Sequence, residues 1–177
     1  MEAPVTNPLT GILNTPYLSR LRRNHGLEHA TLTVLSRSYP GIRLTGHSDT
    51  AGFWLIGNVP SGAVQSAVQE ALERLKAGER NLALHPNCGT NFVTSGTLAA
   101  LAAFIAFFGA GRRFRDRLER LPLAAALSVL ALILANPVGM TLQREVTTSG
   151  APGSLVVVRI ESRRRGRWAS HRVITRG

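Results

Sequence analysis

The residues best suited to chemistry lie in the stretch RNHGLEHATL, residues 22–31. This stretch places His25, Glu28 and His29 in a segment that predicts a helix. On a helix the three positions share one narrow face, because residues three and four apart are neighbours. Two imidazoles one turn apart can bind a single divalent metal, and a carboxylate beside them can accept a proton from a metal-bound water.

The same stretch permits a reading without a metal. His25 and Glu28 could form a surface pair one turn apart, with His29 packed against Leu32. The metal interpretation has the order H-x-x-E-H in its favour, which is the inverted zincin arrangement. In that arrangement the two histidines hold zinc and the glutamate acts as general base. This stretch alone leaves both interpretations open.

A second motif of metal-binding type follows in LHPNCGTNF. His85 and Cys88 form H-x-x-C, and imidazole and thiolate are ligands that zinc prefers. Three of the five histidines and the only cysteine fall in the two motifs. The sequence therefore predicts a metal site of His25, His29, His85 and Cys88. Zinc fits this donor set better than magnesium or calcium, which prefer oxygen. In the alternative, Cys88 is a small apolar residue at a helix start.

Two uncharged apolar runs, residues 92–111 and 121–142, follow the second motif. Each is about 20 residues long, enough to cross about 30 Å of hydrocarbon as a helix. Ala131, Ala135 and Gly139 recur every four residues and form a stripe at which two helices could pack closely. A buried hairpin in a soluble protein is the alternative, but such helices usually carry a polar stripe, which both runs lack. The runs predict a transmembrane hairpin.

The flanking regions predict a small mixed α/β domain. Residues 16–38 predict a helix that ends at YPG. Residues 42–57 predict a β-hairpin with its turn around HSDT. His47 and Asp49 are residues of this turn and could supply a further metal ligand. A second helix is expected between an N-cap at Ser61 and a stop at Gly78. Its apolar face comprises Val64, Ala67, Val68, Ala71, Leu72 and Leu75.

Four parts follow from these patterns, and the fold class is α+β. Residues 1–15 are a flexible N-terminus and residues 16–91 the metal-site domain. Residues 92–142 form the transmembrane helical hairpin. Residues 143–177 form a basic C-terminal β-hairpin, because SLVVVRIE and ASHRVITR alternate apolar and polar side chains.

The chain is strongly basic, with 21 Lys+Arg against 10 Asp+Glu and a net charge of +11. Such a charge suits either a nucleic-acid surface or an anionic membrane face. After a transmembrane hairpin, lipid is the expected partner rather than nucleic acid, and the candidate lipid contacts are Arg163, Arg164, Arg165 and Arg167. A single cysteine excludes an internal disulfide. The sequence also lacks a phosphate-cradling glycine loop and a nucleophile elbow.

The order HGLEHA, then HPNCGTNF, then an apolar helix resembles a group of bacterial membrane proteins of unknown function. Their pattern is HGxEH, then HPxCGT, then membrane helices, and the resemblance covers about residues 24–110. It implies a membrane protein with a metal site and brings no established reaction. The residues that match motif positions are His25, Gly26, Glu28, His29, His85, Pro86, Cys88, Gly89 and Thr90.

The apolar hairpin predicts a location, and the number of metal ligands predicts a function. A hairpin puts both termini on one side of the membrane. Positive residues are equally numerous in its loop and its flanks, and we expect cytoplasmic termini in the inner (plasma) membrane. Four protein ligands would make the metal structural or regulatory. Three ligands plus water would make a membrane-anchored zinc-dependent hydrolase, most simply a peptidase, with Glu28 as general base.

Overall fold

A computed structural model describes residues 8–111, 113–166 and 168–177. The chain divides into two compact units. The first comprises the segment up to His85 together with Arg144–Gly177, and the second comprises Pro86–Gln143. The first unit is therefore built from chain segments on both sides of the second.

The first unit combines helices with strands. Its helices are α1 (Pro8–Leu13), α2 (Pro16–Ser38) and α3 (Ser61–Lys76), followed by a 3₁₀ turn (Arg80–Ala83). Its strands are β1 (Leu44–Asp49), β2 (Gly52–Gly57), β3 (Val156–Arg165) and β4 (Trp168–Arg176). A π-helical turn, Gln143–Thr147, leads into the second of its chain segments. This mixture of helix and antiparallel sheet confirms the predicted α+β class.

Among the described residues the sheet has the order β1-β2-β4-β3, and all neighbours are antiparallel. Strands β1 and β2 form the first predicted hairpin, and strands β3 and β4 form the second. The two hairpins then join through β2 and β4, where Leu55 stands opposite His171. The sheet therefore places the C-terminal hairpin in the same layer as the strands that follow α2.

Helices α2 and α3 supply the rest of the core. Helix α2 has the predicted bounds, with a proline in its first turn and Tyr39 as its C-cap. Helix α3 ends before Gly78, whose φ of +98° suits glycine. The predicted N-cap at Ser61 is wrong, because the cap is Pro60 and no side chain caps the helix. The six predicted apolar residues of α3 are all buried: Val64, Ala67, Val68, Ala71, Leu72 and Leu75.

The predicted turn residues of the first hairpin lie instead in β1. His47 and Asp49 pair with Trp54 and Gly52 of β2. The Asp49 carboxylate accepts hydrogen bonds from the Ala51 N–H at 2.7 Å and from Arg172 Nη2 at 2.8 Å. These two hydrogen bonds close the turn and connect it to β4, so the role of Asp49 is structural.

Asn24 ties helix α2 to the sheet. Its side chain is fully buried. Its Nδ2 donates to the Asp49 carbonyl at 2.8 Å, and Thr175 Oγ1 donates to its Oδ1 at 2.7 Å. One amide thereby joins the helix to β1 and β4.

We expect Asn24→Ala to lower the free energy of unfolding by about 2–4 kcal/mol, because the partly buried Asp49 carbonyl and the buried Thr175 hydroxyl lose their partners. Thermal and denaturant unfolding of the protein in detergent measures this loss. Asn58→Ala is the control, since Asn58 is an exposed asparagine and its loss should cost less than about 0.5 kcal/mol. Equal losses in the two variants would contradict the assignment.

The second unit is helical in its described part. It contains α4 (Gly89–Phe107), the short α5 (Phe114–Leu118) and α6 (Leu121–Leu142). Helix α6 has the predicted bounds, whereas α4 begins at Gly89 rather than at residue 92. Arg112 lies outside the described residues, between α4 and α5.

Helices α4 and α6 pack against each other along the predicted stripe of small residues. Ala135 and Gly139 are buried there, and a methyl group on Gly139 would collide with the amide of Asn91. Nearer the segment that joins α4 to α6, Ser128 Oγ donates to the Ala99 carbonyl at 3.2 Å. Small residues let the two backbones approach closely.

The outer faces of these helices are apolar and exposed. Both helices are long and apolar enough to cross a membrane. In the most apolar 18-residue stretch of each, however, only 17% and 11% is buried within the chain. Phe104, Ile105 and Ile133 expose 66%, 64% and 65% of their surface. A core helix of a soluble protein would be mostly buried, so this surface suggests membrane association.

Candidate metal centre

Helix α2 holds His25 and His29 one turn apart on its buried side. Nδ1 of His25 lies 2.9 Å from the Thr147 carbonyl oxygen. Nδ1 of His29 lies 2.8 Å from the Ala83 carbonyl oxygen. Because a carbonyl oxygen can only accept, each Nδ1 must carry the proton and donate it. In the neutral ring the lone pair then resides on Nε2, which is the arrangement found in most metal-binding histidines.

Three imidazole rings of the first unit are neighbours. The centroids of His25 and His29 are 4.3 Å apart, and those of His29 and His85 are 5.7 Å apart. Burial lowers the pKa of His85 from its ordinary value of 6.5, so this ring is neutral at pH 7. A neutral imidazole is the form that binds a metal.

Cys88 follows His85 by three residues, so the chain itself keeps its thiol within reach of these rings. His25, His29 and Cys88 could hold a metal ion, since imidazole and thiolate are ligands that zinc prefers.

The four predicted ligands thus have different positions in the structure. His25, His29 and His85 belong to the first unit, where their rings are neighbours. Cys88 belongs to the second unit, three residues further along the chain than His85. A role for His85 as the fourth ligand stays a prediction.

Glu28 occupies the side of α2 that faces β1. Its carboxylate is 4% exposed and accepts a hydrogen bond from the Ser48 hydroxyl. A methyl group on Gly46 would collide with this carboxylate, so the glycine makes room for it. Burial raises the pKa of Glu28, while the Ser48 hydrogen bond and the charges of His25 and His47 act in the opposite direction. A raised pKa makes the carboxylate a stronger base.

Gly26 allows the chain after α6 to lie directly against α2. A methyl group at this position would collide with the Ser149 carbonyl oxygen and lie 3.2 Å from Ala83 Cβ. The Ser149 N–H donates to the Arg22 carbonyl at 2.9 Å. This close approach brings the Thr147 carbonyl to His25, so the glycine serves the histidine beside it.

We expect Gly26→Ala to destabilise the protein by about 1–3 kcal/mol, because the added methyl group must displace backbone. Since the partner of His25 would shift, metal affinity should fall about 10-fold. Unfolding curves and competition with a zinc indicator measure the two effects. Gly62→Ala is the control, since Gly62 of α3 has open space around its Cβ position, and it should stabilise slightly. A harmless Gly26→Ala would refute the packing argument.

Sequence reasoning did not find the supporting groups of this centre. Ser48, the Ala83 carbonyl and the Thr147 carbonyl come from three other segments of the chain. Two of them are backbone atoms, which have no signature in a sequence. A serine in an alternating strand points to no particular partner either.

The family comparison covers this whole arrangement. The model of a family described as a domain of unknown function, DUF6391, matches residues 20–160. The chain belongs to the DUF6391 family. The matched span contains most of α2, the segment with His85 and Cys88, and both apolar helices. It confirms the resemblance to a family of unknown function.

A relative of this DUF6391 chain is an uncharacterised protein of Picosynechococcus sp.. The two are 37% identical over 138 residues, and the match covers 73% of this chain and 66% of the relative. The chain thus spans slightly less than two thirds of the relative's length. No solved structure matches the chain.

Proposed function

We propose that this protein is an integral membrane metalloprotein that binds zinc through His25, His29 and Cys88, with His85 as the fourth ligand. The observation that carries the proposal is the cluster of three imidazole rings in the first unit, with Cys88 only three residues after His85 along the chain. The two Nδ1–H···O=C hydrogen bonds support it, because they fix the tautomer that a metal requires. Two imidazoles and a thiolate favour zinc over magnesium or calcium.

The role that we assign to this zinc is structural or regulatory. With four protein ligands the coordination sphere is closed, which is typical of structural sites. The metal would then hold α2 to the segment around residues 85–88, which leads directly into α4. The membrane part of the proposal rests on the exposed apolar surfaces of α4 and α6.

Metal analysis together with X-ray absorption spectroscopy at the zinc edge tests this proposal. The protein should purify with about one zinc per chain. The spectrum should require one sulfur at about 2.3 Å and three nitrogens at about 2.0 Å. Protein that contains no transition metal, and gains none when zinc is added, would refute it.

A second candidate is a membrane-anchored zinc-dependent hydrolase. The observation that favours it is the buried Glu28, whose pKa is raised by burial and whose carboxylate lies one residue from a proposed ligand. In this version His85 does not coordinate, and a water takes the fourth position. The metal would activate the water for attack on an amide carbonyl, while Glu28 would accept the proton of the water and pass it to the amine that leaves as the C–N bond breaks.

Glu28→Gln distinguishes the two candidates. A hydrolase predicts a variant that keeps its metal and loses its amidase or peptidase activity. A structural metal predicts a variant with unchanged zinc content in a protein that hydrolyses no amide substrate. The spectrum separates them as well, since it should contain the scattering of two imidazole rings rather than three when a water completes an open site.

For location, we propose the bacterial inner membrane with both termini in the cytoplasm. Arg163 and Arg164 of β3 are exposed and could contact anionic lipid. Nothing is described for the Arg165 side chain, and Arg167 lies outside the described residues. Cysteine labelling from either side of the membrane, with single cysteines placed in β3, tests the orientation.

A further inference from the structure

A cavity of about 410 Å³ lies in the first unit, beside the helix that carries the histidines. Its walls come from α2, from the 3₁₀ turn and from the chain that follows α6. Three arginines line it, Arg22, Arg80 and Arg144, and one glutamate, Glu145. Three positive charges against one negative leave a net charge of +2. Asn81, Thr148 and Ser149 add polar groups to the wall.

Arg22 gives the first sign of a ligand. Its Nη2 donates to the Glu145 carbonyl at 2.9 Å. Its Nε–H is buried, and among the described residues it has no hydrogen-bond acceptor. Buried donors are nearly always paired in folded proteins, so an unpaired one beside a cavity calls for an acceptor from outside the chain. A guanidinium stays protonated at any physiological pH, so the acceptor should be anionic.

The walls of the cavity are fixed in advance. The Ser149 N–H donates to the Arg22 carbonyl at 2.9 Å, which holds the loop to α2. A methyl group on Gly150 would lie 2.7 Å from the Arg80 carbonyl oxygen, so this glycine lets the loop touch the 3₁₀ turn. Arg22 and Arg80 therefore stand on walls that are already packed together. A preorganised set of donors loses little entropy when it binds a ligand.

We propose that this cavity binds a phosphate group, presented either by a free phosphate ester or by a phospholipid headgroup. The planar guanidinium suits phosphate oxygens, and the three arginines supply more charge than a single carboxylate needs. The volume exceeds that of a bare anion and is typical of sites for small organic molecules. Arg144 stands two residues after Leu142, the last residue of α6. If α6 spans the bilayer, the chain delivers this arginine to headgroup depth.

Calorimetric titration of the full-length protein in an uncharged detergent tests the proposal. The probes are inorganic phosphate, glycerol 3-phosphate and the soluble lipid dihexanoylphosphatidylglycerol. We expect saturable binding of at least one probe. Arg22→Gln and Arg80→Gln should each weaken it at least about 10-fold, as expected for the loss of a charge-assisted hydrogen bond. Arg80 is exposed, so its variant tests the site without burdening the fold.

Arg43→Gln is the matched control, because it removes the same charge from an exposed position between α2 and β1. It should leave the affinity unchanged. Binding of glycerol 3-phosphate alone supports a soluble ester, and binding of the lipid alone supports a headgroup. The proposal is overturned if no probe binds, or if Arg43→Gln weakens binding as much as Arg22→Gln does. Zinc content should be equal in all three variants, which separates this site from the metal centre.

Discussion

His29→Ala should reduce the zinc affinity of the purified protein by more than about 100-fold. Loss of an outer partner of a metal ligand already costs about 10–100-fold, and His29 is proposed as a ligand itself. Its ring is 2% exposed and oriented by the Ala83 carbonyl, so no other side chain can easily replace it. Zinc per chain after purification, followed by competition with a fluorescent zinc indicator, measures the effect.

Two further variants make this result interpretable. His47→Ala removes a histidine of β1 whose side chain is exposed and should leave zinc binding unchanged. Cys88→Ser changes one atom of a buried side chain and should weaken zinc binding by a similar factor to His29→Ala, with little effect on packing. If both His29→Ala and Cys88→Ser bind zinc as tightly as the wild type, the metal centre is not where we place it.

The wild-type protein should remain in the membrane pellet after washing with alkaline carbonate. Helices α4 and α6 expose large apolar side chains that lipid would cover, and about 20 apolar residues contribute several kcal/mol of insertion free energy. Ile133→Arg places a charge in the middle of α6, where arginine costs about 2.5–3.5 kcal/mol. We expect this variant to be inserted less efficiently and to accumulate less.

Ile56→Arg is the control for that experiment. Ile56 is also a partly exposed isoleucine, 41% exposed, but it belongs to β2 of the first unit. Its substitution should leave the protein in the pellet. Release of the wild type into the supernatant would end the transmembrane proposal, whatever the variants do.

Local patterns in the sequence predicted local structure well. Helix α2 was bounded by Pro16 and by the YPG that follows it, because proline and glycine act within one or two residues. The buried face of α3 followed from a period of 3.6 residues. Exact turn positions were harder: His47 and Asp49 extend β1, since a strand can continue through polar residues when its partner strand is in register.

Contacts between distant segments could not be predicted in this way. The pairing of β2 with β4 joins residues more than 110 positions apart, such as Leu55 and His171. Strand pairing of this kind depends on the whole fold and leaves no local signal. For the same reason, the surroundings of the metal centre could not be predicted from the sequence. The spacing of His25 and His29 was visible, but the carbonyls that orient their rings come from residues 147 and 83.

The pairing of β2 with β4 also constrains how the protein can be made. These strands lie in one sheet, yet the whole second unit is translated between them. If α4 and α6 enter the bilayer, they must cross it an even number of times, because both strands have to meet on the same side. During synthesis β1 and β2 emerge well before β4, so β2 lacks its second partner strand until β4 leaves the ribosome. If the helices insert while the chain is being synthesised, insertion therefore precedes completion of the sheet.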